Sequence, residues 1–167
     1  MAKNEIERTV QPSLLDRLTD ADPRSSADQT ITLSESVRRF KASIQRDLEW
    51  LLNTRRIPEP MPEDWFEQLP RSVYYYGIPD ITSLSRDTRE SRMIVLRDVE
   101  DAIAAFEPRL TDVHIDVVEV EGEQFRRELR FHIEATLRMD PTPEQVVFDT
   151  VLNFASGEYD VAGVRDA

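Results

Sequence analysis

Residues Arg127–Arg138 have the sequence RELRFHIEATLR, the clearest structural signal in the chain. Every second residue is apolar, and the residues between them are charged or polar. This period of two is typical of a β-strand with one face in a core and the other toward solvent or a partner. We therefore expect a half-buried strand here. Its core-facing residues are Leu129, Phe131, Ile133, Ala135 and Leu137.

The segments on either side of this strand alternate in the same way. Before it, Val113, Ile115 and Val117 are separated by polar residues. After it, Asp140–Glu144 (DPTPE) has turn composition, and a further alternating set ends before Gly157. That set consists of Val146, Phe148, Thr150, Leu152 and Phe154. The pattern predicts an antiparallel sheet of about three strands, with this segment as the last.

Upstream of the sheet, the apolar period becomes that of an α-helix. Thr32 and Glu35 form a capping-box pattern, which predicts a helix over Leu33–Thr54. A second helix is predicted to begin near Asp87 and to stop at Pro108. The residues predicted for its buried face are Met93, Leu96, Val99, Ile103 and Phe106. Two main helices followed by a small antiparallel sheet form an α+β domain.

The first thirty residues are mostly polar. Only Ser13–Leu18 (SLLDRL) places apolar side chains on one helical face, namely Leu14, Leu15 and Leu18. Ala21–Gln29 (ADPRSSADQ) has the composition of a linker. We expect residues 1–30 to be a flexible segment with a short docking helix, and residues 31–167 to be a single domain. Loose packing of this helix on its own domain agrees equally well with the sequence.

The chain is strongly acidic. Its 167 residues include 33 Asp and Glu against 21 Lys and Arg, for a net charge of −12. This charge repels nucleic acid and anionic lipid surfaces. The longest stretches without a charged residue, Ser72–Pro79 and Thr150–Gly157, are far shorter than the roughly 18 residues of a membrane span. We expect a cytoplasmic protein with no nucleic-acid partner and no direct membrane insertion.

The charge is unevenly distributed along the chain. The first long helix and its flanks carry more Lys and Arg than acids, whereas Asp140–Ala167 is acidic. Complementary patches of this kind set orientation in protein docking. Arg55 and Arg56 contribute to the basic helix, although cations at this position also complement the negative end of a helix dipole.

The sequence contains no recognisable catalytic or cofactor motif. Phosphate-binding, dinucleotide-binding, zinc-protease and calcium-loop patterns are all missing, and there is no cysteine. His114 and His132 lack a predicted third metal ligand. We therefore predict no catalytic residue, no metal and no cofactor.

Glu107 is the one acid in an unusual setting, because it ends a predicted helix directly before Pro108. A helix C-terminus raises the pKa of a carboxyl group, which suits a general acid, but the neighbouring Arg109 favours the charged form. Glu107 is therefore either a candidate acid or a helix stop with a local ion pair.

Several segments together resemble a known family. They are Ser13–Asp20 (SLLDRLTD), Arg46–Arg56 (RDLEWLLNTRR), Ser72–Asp80 (SVYYYGIPD), Phe106–Leu110 (FEPRL) and Pro143–Tyr159 (PEQVVFDTVLNFASGEY). In this order they resemble the TssE family of type VI secretion baseplate subunits, a branch of the phage baseplate-wedge proteins historically labelled lysozyme-like. Tyr74–Tyr75 departs from the Leu-Asn that family members often have there.

The resemblance implies a structural, non-enzymatic role. Such subunits join the baseplate wedge, built from TssF, TssG and TssK, to the first ring of the sheath, built from TssB and TssC. Sheath arms add to their sheet as extra strands and so prime sheath polymerisation. The resemblance also implies assembly at the cytoplasmic face of the inner membrane. The old family label implies an alternative, a peptidoglycan hydrolase that uses Glu107.

The resemblance further implies which residues bind partners. Glu107, Pro108 and Arg109 are expected to dock on the helical core of the wedge, and the helix with Leu14, Leu15 and Leu18 is a candidate second wedge contact. For the sheath arm, we expect the free edge to be the last predicted strand. Its partner-facing residues would be Val146, Phe148, Thr150, Leu152 and Phe154.

Overall fold

The expected α+β fold is confirmed by a computed structural model, which describes residues 10, 12–19, 32–57, 69–81, 88–118, 128–140 and 142–166. The helices are α1 (Leu14–Leu18), α2 (Leu33–Asn53) and α3 (Arg89–Phe106), with single 3-10 turns at Leu69–Arg71 and Val73–Tyr75. The strands are β1 (Leu110–Val117), β2 (Glu128–Leu137), β3 (Glu144–Asn153) and β4 (Glu158–Asp166). Within the described ranges, no helix is both long and apolar enough to cross a bilayer.

The four strands form one antiparallel sheet in the order β1-β2-β3-β4. The strand predicted first is β2, and its five expected core residues are all buried. Sequence reasoning missed β4. Only Tyr159 and Val161 mark its buried face before the pairing with β3 slips at a bulge opposite Phe148–Thr150. A run this short does not stand out as a period of two.

The choice of Val146–Phe154 as the free edge is wrong. β3 pairs with β2 on one side and with β4 on the other, so its main-chain groups are used within the sheet. The five residues expected to face a partner lie in the hydrophobic interior instead. They are Val146, Phe148, Thr150, Leu152 and Phe154, each less than a tenth exposed.

The first long helix agrees closely with its prediction. Thr32 is the N-cap, and its hydroxyl accepts a hydrogen bond from the amide of Glu35 at 3.3 Å. The Glu35 carboxylate does not complete the capping box, because it binds Arg38 and Arg39 one turn later. The helix ends at Asn53, and Thr54 caps it.

The second long helix differs from its prediction at two points. Its N-cap is Thr88, whose hydroxyl accepts from the amide of Ser91, and Asp87 lies outside the described residues. Met93 is 58% exposed rather than buried. The buried stripe also includes Val95 and Ala102, which turns Met93 to its flank.

The core lies between the two long helices and one face of the sheet. Its fully buried members come from every layer, and examples are Ile44, Leu48, Leu52, Val99, Ile103, Phe131 and Phe148. Val10, in the segment expected to be flexible, is also buried, and its amide donates to Ser36 Oγ at 3.2 Å. Part of the N-terminal segment therefore packs on α2.

A main-chain junction fixes the end of α2. The amide of Ile78 donates to the Thr54 carbonyl at 2.8 Å, and the amide of Arg56 donates to the Ile78 carbonyl at 2.9 Å. Gly77 has a φ of +106°, and a Cβ at this position would overlap the Thr54 carbonyl. Only glycine satisfies both requirements.

Replacing this glycine tests the junction. Gly77→Ala is expected to lower the free energy of unfolding by about 2 kcal/mol, since it combines a left-handed φ with a clash against main chain. Gly163→Ala is the matched control, because a Cβ there meets nothing within 4 Å, and its expected effect is below about 0.5 kcal/mol. Urea unfolding of both variants measures the difference, and equal stabilities would contradict the junction's role.

Candidate partner-docking site

Glu107, Pro108 and Arg109 connect α3 to β1. Glu107 is the C-cap of α3, with φ −119° and ψ 77°, as expected for a residue that proline excludes from helical geometry. Its carbonyl accepts from the amide of Leu110 at 3.1 Å, so the chain turns sharply into the sheet. This turn brings the side chains of Glu107 and Arg109 together.

The two side chains form a local ion pair. This agrees with the interpretation of Glu107 as a helix stop with an ion pair to Arg109. Arg109 Nε donates to Glu107 Oε1 at 2.6 Å, and Arg109 Nη2 donates to Oε2. The amide of Arg109 also donates to Oε1 at 3.2 Å. Glu107 is only 5% exposed. Its carboxylate is therefore bound within the protein, with Arg109 on both oxygens, rather than directed at a ligand.

The pair continues onto α2 through Asp47. Asp47 Oδ2 accepts from Arg109 Nη2 at 2.7 Å, and Asp47 Oδ1 accepts from Arg46 Nη2 at 2.8 Å. Burial alone would depress the pKa of Arg109. Its hydrogen bond to Glu107 is the largest influence and, with the bond to Asp47, raises that pKa well above the usual range. Arg109 thus ties the α3–β1 turn to the middle of α2.

The same series of ion pairs reaches the N-terminal helix. Arg46 Nη1 donates to Asp16 Oδ1 at 2.7 Å. Ser13 caps α1 by accepting from the amide of Asp16, and its hydroxyl donates to Asp16 Oδ2 at 2.6 Å. We call the resulting series the ion chain. Its members, in order, are Asp16, Arg46, Asp47, Arg109 and Glu107.

Aromatic side chains surround the ion chain. The Arg109 guanidinium lies 5.9 Å from the ring centroid of Phe40, and that of Arg46 lies 5.1 Å from the ring of Trp50. Burial, reinforced by the negative charges of Asp47 and Glu107, raises the pKa of Tyr76. The rings of Phe40 and Trp50 thus add cation–π contacts to the two guanidinium groups of the ion chain.

Part of this region remains accessible to a partner. Pro108 is exposed, and Arg109 Nη1 has no hydrogen-bond partner among the described residues. On α1, Leu14 is 70% and Leu18 is 76% exposed, and Leu15 is partly so. The structure therefore brings two of the predicted contacts, the α3–β1 turn and α1, to the two ends of one ion chain.

Sequence reasoning missed the middle of the ion chain. Arg46 and Asp47 are consecutive residues of α2 inside the RDLEWLLNTRR segment, yet nothing in their spacing indicates the partners that they bind. Those partners are 30 residues upstream for Arg46 and 62 residues downstream for Asp47. Only the packing of α2 against α1 and the α3–β1 turn makes the contacts.

The two histidines lie elsewhere, on the sheet. His114 Nε2 is 3.4 Å from Asp116 Oδ1, and His132 Nδ1 is 2.6 Å from Asp149 Oδ1. Arg165 also binds Asp149. Among the residues that the structure describes, no three His, Asp or Glu side chains converge as a metal ion requires.

The chain matches the model of a protein family. A family model described as baseplate wedge protein gp25 matches residues 38–142, which is well over half of the chain. The matched range includes the α3–β1 turn and both α2 members of the ion chain, but it excludes α1, β3 and β4. Comparisons with curated proteins and with solved structures found no match.

The central acid of the ion chain has a measurable role in stability. Asp47→Asn removes the shared anionic acceptor of Arg46 and Arg109, and we expect it to lower the free energy of unfolding by about 1–3 kcal/mol. Asp101→Asn is the control, because its contact with Arg97 is 3.9 Å long and exposed, and its expected effect is below about 0.5 kcal/mol. Chemical denaturation of both variants decides whether the ion chain supports the fold.

The attachment of α1 is expected to depend on pH. Partial burial would raise the pKa of Asp16, but hydrogen bonds from Ser13 and Arg46 outweigh it and hold that pKa below the usual 3.8. A lowered carboxyl pKa contributes stability that is fully present above the unfolded value and is lost as pH falls through the folded value. The attachment of α1 should therefore begin to weaken below about pH 4 and be lost as pH falls further, through the lowered pKa of Asp16.

The methyl NMR signals of Leu14 and Leu15 measure this detachment, with the core residue Leu129 as the internal reference. Asp16→Asn should produce the detached spectrum already at neutral pH. Unchanged Leu14 and Leu15 signals in that variant would show that Asp16 does not hold α1.

Proposed function

This chain belongs to the baseplate wedge protein gp25 family, and on that premise we propose that it is the TssE-type subunit of a type VI secretion baseplate. In this role it joins the wedge to the first sheath ring and primes sheath polymerisation. Its place of action is the cytoplasmic face of the inner membrane. The observation that carries the proposal is the α3–β1 turn, where an internally fixed Arg109 lies beside an exposed Pro108 within the family match.

The wedge contact is formed by Pro108 and Arg109, with Glu107 as the residue that positions them. Glu107 is buried and both its oxygens bind Arg109, so its contribution passes through that guanidinium. Nη1 of Arg109, which has no partner among the described residues, remains free to donate a hydrogen bond to a carboxylate or carbonyl of a wedge subunit. Because Nε and Nη2 are already bound, the side chain loses little further conformational entropy when this hydrogen bond forms. TssF and TssG are the proposed partners here, with TssK in the same wedge.

α1 provides a second wedge contact. Leu14 and Leu18 are among the most exposed apolar side chains of the described residues. An exposed apolar stripe of this kind favours a partner surface, and docking would bury it. Because Asp16 holds α1 against α2, the stripe is presented in one orientation.

The sheath contact is strand addition by an arm of TssB or TssC to an edge of the sheet. Since β3 is internal, the arm must use an outer strand, β1 or β4.

A non-enzymatic role agrees with the state of Glu107. A glycoside hydrolase needs one carboxyl group that donates a proton and a second carboxylate at a defined distance. The Glu107 carboxylate instead accepts hydrogen bonds from Arg109 on both oxygens. With both oxygens bound to Arg109 and the side chain buried, the carboxylate is not presented to a substrate.

The wedge contact can be tested by co-purification with TssF and TssG. An acid in place of Arg109 would lie next to Glu107 and Asp47, and the repulsion would destabilise the fold. We therefore choose Pro108→Ala and Arg109→Lys. Lysine keeps the charge but cannot span Glu107, Asp47 and a partner group at once. We expect each variant to weaken wedge binding about tenfold while remaining folded.

Arg97→Lys is the matched control, since Arg97 is highly exposed on α3 and away from the turn. Wild-type wedge affinity in both Pro108→Ala and Arg109→Lys would contradict the docking role of the turn. Release of sugar fragments from purified cell wall, lost in Glu107→Gln, would contradict the non-enzymatic role.

A further inference from the structure

The two outer strands of the sheet differ in whether their free edge is occupied. An outer strand turns alternate main-chain N–H and C=O groups away from the sheet. On the part of β4 before its bulge, these groups belong to Tyr159 and Val161. Asn53 of α2 donates to the Tyr159 carbonyl at 2.8 Å and accepts from the Tyr159 amide at 2.9 Å. Gln45 of α2 donates to the Val161 carbonyl at 2.7 Å.

These bonds occupy the edge of β4 between Tyr159 and Val161. Asn53 and Gln45 lie two helical turns apart on one side of α2, which therefore runs along β4. Their amide side chains replace the neighbouring strand that β4 lacks. An incoming strand would have to displace both before it could pair between Tyr159 and Val161.

Within the described part of the chain, no side chain covers the edge of β1 in this way. The amide of Val118 donates to the Arg130 carbonyl at 2.9 Å, and in the same register Asp116 lies opposite His132. The main-chain groups of Asp116 therefore face β2, and strand alternation turns those of Ile115 and Val117 outward. Among the described residues, none forms a hydrogen bond with these outward groups.

The open part of β1 has a defined start. A bulge shifts the register between Thr111 and His114, and Asp112 within it has a φ of +52°. A bulge bends a strand and interrupts regular pairing. Pairing with another strand is therefore restricted to the segment from Ile115 onward.

We propose that this segment of β1, and not β4, accepts the partner strand. The assignment rests on the proposed function and names the edge at which the sheath arm adds. The two outward residues offer two N–H and two C=O groups. Val117, 40% exposed at the end of the core face, would be covered by an apolar side chain of the arm.

On the face of the sheet that points away from the core, acidic side chains favour a basic sheath arm. Asp116 is exposed there, and Glu134, also exposed, lies next to it on β2 opposite His114. Basic residues at alternate positions of the arm would match these acids. The preferred occupant is therefore an extended segment in which apolar residues alternate with Lys or Arg.

A second copy of this chain fits the edge poorly. Two β1 edges that pair antiparallel about a twofold axis present the same side chains to each other. In the register that uses both outward residues, Ile115 and Val117, Asp116 would face Asp116 of the copy, and like charges opposite each other destabilise a sheet. The charge of this edge thus favours a foreign strand.

Amide hydrogen exchange in the free protein tests whether the edge is open. We expect the amides of Ile115 and Val117 to exchange fast and that of Tyr159 to exchange slowly, because Asn53 binds it. Addition of purified TssB and TssC should then protect Ile115 and Val117. Slow exchange at both residues in the free protein, or protection that rises with its own concentration, would overturn the proposal.

Two variants test which edge binds the sheath subunits. Val117→Pro removes an outward N–H without breaking a bond to β2, and it is expected to weaken sheath binding about tenfold. Asp116→Lys should weaken binding about threefold or more. Asp160→Lys makes the same charge change at an exposed position of β4 and should leave binding unchanged.

The results distinguish failure of the assignment to β1 from failure of the proposed sheath role. If the wild-type protein binds no sheath subunit, the sheath role fails and the assignment to β1 fails with it. If it binds, but Asp160→Lys weakens binding and the β1 variants do not, only the assignment to β1 is wrong. Thermal unfolding and the wedge affinity of each variant confirm that the fold is retained.

Discussion

The guanidinium group of Arg109 connects the α3–β1 turn to α2. Arg109 donates to Glu107, which ends α3, and to Asp47, which lies in the middle of α2. Each carboxylate is thereby satisfied in a partly buried place where an unpaired charge would be strongly unfavourable. The path from helix to sheet, the orientation of Pro108 and the anchoring of α1 through Arg46 all depend on this shared contact.

α2 makes three separate sets of contacts. Its core face supplies residues such as Ile44 and Leu48. Arg46 and Asp47 belong to the ion chain, and Gln45 and Asn53 bind the main chain of β4. One helix thus positions the α3–β1 turn and also occupies part of the outer edge of the sheet.

Glu107 shows how far sequence reasoning reached at the candidate site. Its position before Pro108 predicted a helix stop, and the adjacent Arg109 predicted a local ion pair, and both are confirmed. That Glu107 is buried, and that Asp47 shares its partner, could not be inferred, because these depend on contacts between segments 62 residues apart. The choice of β3 as the free edge was wrong for a related reason. The apolar period in β4 is too short to reveal a fourth strand.

By itself, the sequence determined the elements and their order. The period of two in β2, the capping residue Thr32 and the stop at Pro108 act over a few neighbouring residues, and local backbone sterics and side-chain alternation decide their outcome. Tertiary structure alone decided which charges meet and which edge stays open. Arg109 finds Asp47, and Asn53 covers Tyr159, only after the core has packed the helices on the sheet. Such contacts depend on distances in space that no local spacing encodes.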